Sequence, residues 1–155
     1  MSRQRGITKL EFLVVVAVIG LLAWLGLGRL NEVQEIGEKA AVEATIRNIQ
    51  SGLRFAMADA MTRGQGSRVA TMLDSNPVGW LERPPEGYVG EGAAVPESMP
   101  PGGWFFDTRR RELIYRPRLA ANLVIRGGEQ FLRWRIRAGA GASATIVAET
   151  PYRWF

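Results

Sequence analysis

The chain has 155 residues, 46% hydrophobic and 23% charged, a formal net charge of +5, and neither cysteine nor histidine. Disulfide stapling, thiol nucleophiles, histidine-dependent triads and the usual zinc sites are therefore excluded. So mild a basic bias does not by itself argue for nucleic acid, and the length holds one small globular domain beside an N-terminal segment.

The N-terminus is the most informative region. Phe12 to Gly28 carries no charge. As a helix rising about 1.5 Å per residue this run is roughly 26 Å long, within the lower range for crossing a hydrocarbon core of about 30 Å. Arg3, Arg5 and Lys9 precede it, so the N-terminus is expected to stay cytoplasmic while the rest is exported. Glu11 stands at the mouth of the run. A carboxylate at the centre of a membrane helix costs about 2.5–3.5 kcal/mol on insertion scales, which makes it a functional candidate. Two plainer readings compete. Glu11 is also a carboxylate at a helix start, where the dipole favours it. The run also reads as an ordinary signal peptide with Gly26-Leu27-Gly28 as a weak cleavage site, which leaves Glu11 without purpose. Trp24 suits a membrane interface.

The helical pattern continues beyond Gly28. Val33, Ile36, Ala40, Ala44, Ile49, Leu53, Ala56, Met57 and Ala60 recur at three- and four-residue steps. Glu32, Glu35, Glu38, Lys39, Glu43, Arg47 and Arg54 are expected on the solvated face. The pattern predicts one helix from about Thr8 to Thr62, ended by Gly64-Gln65-Gly66. Its first half is apolar all round and its second half carries one apolar stripe to pack on a sheet. Val69 to Leu73 predicts a short helix. From Pro77 to Gly103, proline and glycine predict an ordered loop rather than sheet, pinned to the domain by Trp80, Leu81 and Tyr88.

Gly103–Asp107 and Glu112–Arg116 predict a hairpin across Thr108-Arg109-Arg110-Arg111. In Phe131–Ala138, Leu132, Trp134, Ile136 and Ala138 share one strand face and Arg133, Arg135 and Arg137 the other. After a Gly139–Ala142 turn, Ser143 to Glu149 returns. Four antiparallel strands on the amphipathic half of one long helix give an α+β domain. The arginines read as the wet face of that sheet or as a patch for an anionic ligand. Trp80, Tyr88, Trp104, Phe105, Phe106, Tyr115, Phe131 and Trp134 read as core and loop anchors. Tyr152, Trp154 and Phe155 read as a tail docked on its own domain, with a partner-binding tail as the alternative. No phosphate loop, paired carboxylates or metal cluster is visible.

The block Gly6-Ile7-Thr8-Lys9-Leu10-Glu11-Phe12 with its apolar run resembles the N-terminus of type IV prepilins and type II secretion pseudopilins. Ile7 stands where that family usually has Phe, and Lys9 where it has an apolar residue. Gly26 and Gly28 stand near the place where many major pilins carry a proline. The resemblance implies a leader over 1–6, cleavage by prepilin peptidase between Gly6 and Ile7, and N-methylation of Ile7. It also implies pairing of Glu11 with the freed amine of a neighbouring subunit. Loss of Arg3 and Arg5 would lower the side-chain charge from +5 to +3. It further implies a membrane or filament-core segment over 7–30, a periplasmic pilin-like domain over 31–155, and no enzymatic activity or cofactor. Expected partners are other pilin subunits, the inner-membrane assembly platform and, before assembly, membrane lipid. The phrases Asn76–Leu81, Pro84–Tyr88 and Pro100–Asp107 resemble minor pilins of the mannose-sensitive-haemagglutinin type, although the family's C-terminal disulfide loop is absent. The alternatives of a different class are an exported, single-pass, membrane-anchored binding domain and an anchored enzyme.

Overall fold

The computed structural model of the chain describes residues 8–139 and 143–155. Helix α1 runs unbroken over Lys9–Thr62. Thr8 is its N-cap in an extended conformation, and the Thr8 Oγ1 accepts a hydrogen bond from the Glu11 amide at 3.2 Å. At the other end Gly64 turns left-handed with φ of 69°. The Gln65 amide then reaches back to the Ala60 carbonyl at 2.8 Å. This is how glycine closes a helix without a Cβ penalty.

A short helix, α2 (Arg68–Met72), and a 3₁₀ turn over Pro77–Trp80 follow. The strands are β1 (Tyr88–Gly92), β2 (Trp104–Asp107), β3 (Glu112–Tyr115), β4 (Leu123–Ile125), β5 (Leu132–Ala138), β6 (Ala144–Ala148) and β7 (Tyr152–Trp154). The domain is therefore α+β: one long N-terminal helix and a mostly antiparallel sheet, as in a pilin-like fold. The main sheet has the order β1-β2-β3-β5-β6, and β4 and β7 form a separate two-stranded ribbon. The four expected strands are present as β2, β3, β5 and β6, and the sheet is larger than the expected four. Within the segment expected to be loop, Tyr88–Gly92 lies parallel to β2, with Tyr88 opposite Trp104. A parallel neighbour needs a crossover. Residues 93–103 supply it, and the buried Met99 lies within it.

Alternation along the strands decides what faces α1. Trp104, Leu113, Tyr115, Leu132, Trp134 and Ile146 form the core with Val42 and Ile49 of α1. Leu53 and Met57 continue it against Ile136 and Ala144. Ala138, expected on the same face, is exposed at the strand end. Trp80, Leu81 and Tyr88 pack against the core as expected. On the opposite face the arginines are paired rather than free. Glu112 lies between Arg133 (3.3 Å) and Arg135 (2.8 Å), and Glu149 receives Arg137 (3.0 Å).

The packed stripe of α1 differs from expectation. Val33 and Ile36 are 65% and 48% exposed, whereas Glu35, assigned to the wet face, is 2% exposed. The buried positions are Glu35, Val42, Ile49, Leu53, Met57 and Ala60. Glu35 can be buried because three donors from the far end of the chain meet its carboxylate.

Candidate functional site

Two places on α1 carry the functional argument: its free N-terminal half and the junction where the domain takes hold. Gly6 and Ile7, the expected cleavage and methylation positions, lie outside the described residues. Glu11 sits in the first turn of α1 and is exposed. Its carboxylate has no hydrogen-bond or ion-pair partner among the described residues, and Lys9 makes no ion pair with it. Residues two apart lie on different sides of a helix, so Lys9 is poorly placed to neutralise Glu11 within one chain.

Every residue from Thr8 to Gln34 whose surroundings are described is exposed. None of these residues is buried by the domain, although an 18-residue window in the helix has a mean hydropathy of 2.5. Leu10, Phe12, Leu13, Val15, Ile19, Leu22 and Trp24 project on all sides. Such a surface requires lipid or other helices around it. By length and composition the segment is a candidate membrane span.

The junction begins at Glu35. Its Oε1 accepts from the Asn122 amide (2.9 Å) and the Trp154 indole Nε1 (3.0 Å), and its Oε2 from the Asn122 side-chain amide (3.0 Å). Burial pushes this carboxyl up. The bonds from the Asn122 amide, Trp154 and the Asn122 side chain push it down, and the net displacement is below the usual carboxylate range. One turn on, Glu38 accepts from the Tyr115 hydroxyl (2.7 Å) and from the amides of Arg118 (2.6 Å) and Leu119 (3.0 Å). Burial, reinforced by Glu38, pushes the Tyr115 phenol well up. The Lys39 Nζ donates to the Trp154 carbonyl at 2.8 Å. Residues expected on the solvated face thus form a clamp that ties both the 117–122 turn and the C-terminal strand to α1. Docking of the aromatic tail on its own domain follows directly, since Trp154 is buried and Tyr152 packs on the core.

Sequence reading also missed Gln50. It donates to the Ala144 carbonyl (3.1 Å) and accepts from the Ile146 amide (2.8 Å). This side chain satisfies one acceptor and one donor of edge strand β6, as a neighbouring strand would. Comparison with protein-family models, curated proteins and solved structures finds no match for this chain.

Proposed function

We propose that this chain is a structural filament subunit of the prepilin type, a minor pilin or pseudopilin. It is inserted in the inner membrane by the apolar half of α1, cut between Gly6 and Ile7, and assembled side by side with copies or relatives. The observation that carries this reading is a half-helix apolar all round that its own domain leaves exposed, with a carboxylate in its first turn that is unpaired among the described residues. A lone anchor would account for the apolar surface, and the helix dipole for a carboxylate in the first turn; a filament in addition gives that carboxylate a partner. At about 100° per residue, Glu11 falls roughly 120° around α1 from the Glu35 stripe, away from the domain. Arg29, Arg47 and Arg54 fall on its continuation, but through the membrane half that outward side is apolar, carrying the exposed Val15, Val18, Leu22 and Leu25. Helices packing along it would bring Glu11 into a dry bundle. There a neighbour's N-terminal amine is its natural partner, and a slip in register would leave both charges unpaired.

Intact-mass measurement of membrane-purified protein tests the processing step: a chain beginning with methylated Ile7 is expected, and one beginning at Met1 or Arg29 counts against the reading. For assembly, Glu11→Ala is expected to insert and be cut normally, because losing a charge eases insertion, yet to be depleted from co-purified filaments. Assembly equal to the parent chain, with Lys9 intact or replaced by Leu, would favour the anchored binding domain instead.

A further inference from the structure

The clamp fixes more than the domain's attachment: it sets the depth of one rim of the domain. A bilayer about 40–45 Å thick around a core of about 30 Å leaves a headgroup layer of roughly 5–7 Å on each side, or about three to five helical residues. With the membrane segment taken as 7–30, that layer spans Asn31 to Glu35. Glu35 is hydrogen-bonded to Asn122, and Asn31, Glu32 and Glu35 line one cleft with Arg118, Leu119, Ala120, Ala121 and Asn122. The turn between β3 and β4 is therefore held at headgroup depth.

Its composition suits that place. A solvated turn is usually built from Gly, Pro, Asn, Asp or Ser. This one reads Pro117-Arg118-Leu119-Ala120-Ala121-Asn122, and Asn122 is already engaged by Glu35. Ala120 and Ala121 are exposed. Phe155 is exposed beside them, its amide donating to the Asn122 carbonyl at 3.1 Å. Glu35 and Glu38 are engaged in the clamp, and among the exposed side chains at this end Arg29, Arg118, Arg126 and Arg153 outnumber Glu32 and Glu86. Arg29 is exposed and shared with Glu32, and Arg118 is only loosely paired, 3.8 Å from an exposed Glu86. On the ribbon above, Arg153 lies opposite the exposed Val124, and neither Arg153 nor Arg126 makes an ion pair among the described residues.

We propose that this rim, the 117–122 turn with Phe155, docks on the phospholipid headgroup layer before assembly, its arginines engaging anionic lipid phosphates. The inference rests on the reading of the apolar half of α1 as a membrane span. Apolar side chains flanked by cations are the usual composition of a segment lying in the interface, and basic residues near an anionic surface strengthen its attachment.

The cysteine-free chain permits a clean test. Spin labels are placed one at a time on the full chain, through Ala120→Cys at the rim, Val16→Cys in the span and Ser67→Cys near the far end of α1. Each is reconstituted in nanodiscs of zwitterionic lipid alone or with anionic lipid added, and accessibility to oxygen and to a water-soluble nickel chelate is measured. The label at Ala120 is expected to be several-fold less accessible to nickel than that at Ser67 in anionic discs. Arg118→Ser with Arg153→Ser should remove most of that protection while native tryptophan fluorescence is unchanged. A lipid-exposed Val16 label with an Ala120 label as wet as Ser67 in both discs overturns the docking and leaves the span standing. A wet Val16 label overturns both. Equal protection at Ala120 with and without anionic lipid overturns the role given to the arginines.

Discussion

Glu35 is the residue whose environment departs furthest from its chemistry. Its carboxylate is fully buried, and its worth lies in the three donors it engages. Glu35→Ala strands the buried Trp154 indole, at about 1–3 kcal/mol for a buried group, whereas the exposed Asn122 can turn to water. A loss of roughly 2 kcal/mol is expected, read as a lower denaturant midpoint. The pH dependence has a definite sign. The folded carboxyl lies below its unfolded value, so on acidification the unfolded chain takes up the proton first. The stabilisation is present above the unfolded value and lost as pH falls through the folded one. A plot of melting temperature against pH should therefore fall below about pH 5 in the parent and be flatter there in Glu35→Gln. A parallel pair of curves would show that Glu35 does not carry the acid sensitivity. Some of this was readable in advance. Glu35, Val42 and Ile49 are spaced by sevens, so the buried stripe extends back to Glu35 by position. Residue type pointed the other way, because the donors that satisfy it come from more than 80 positions along the chain.

At the level of elements, strong local patterns were legible and pairings were not. The extent of α1, the short helix after it and the alternation in β5 follow from periodicity and punctuation. Trp134 and Leu132 are buried on the predicted face. The ribbon of β4 and β7 has three residues per strand, too short for a period to declare itself, and β1 is hidden among glycines and prolines. Both exist because neighbours supply the hydrogen bonds. Gly52 shows the same dependence on neighbours. In the middle of a helix it is unfavourable by about 1 kcal/mol relative to Ala, so propensity alone predicts that Gly52→Ala stabilises. The 3₁₀ turn reverses the sign, since an added Cβ would run into the Trp80 carbonyl, which is backbone and cannot rotate away. Overpacking of this kind costs about 1–3 kcal/mol. Gly52→Ala is expected to lower the melting temperature and to change the fluorescence of Trp80. Gly37→Ala, which meets nothing within 4 Å, should raise it slightly.

For the whole molecule, α1 divides at Glu35 rather than at the end of its apolar run. The described residues from Thr8 to Gln34 stay exposed, whereas Glu35, Glu38 and Lys39 hold the domain's C-terminal third. That boundary distinguishes two N-terminal truncations that differ by little in apolar content. A fragment beginning at Asn31 keeps the whole clamp and loses the surface that demands lipid or neighbouring helices, so it should be soluble, monomeric and cooperatively folded. A fragment beginning at Lys39 loses both carboxylates. The Trp154 indole and the amides of Arg118, Leu119 and Asn122 lose their acceptors, so the turn loses its tie to the helix and the ribbon keeps only the bond from Lys39 to the Trp154 carbonyl. At about 1–3 kcal/mol for the buried Trp154 indole, and several degrees per kcal/mol for a domain of this size, the melting temperature should fall by several degrees. Hydrogen exchange should quicken first in β4 and β7, while the β2–β3 and β5–β6 pairings stay protected. If the two fragments melt together, the domain is held by its sheet and hydrophobic core alone, and the clamp only orients it on α1.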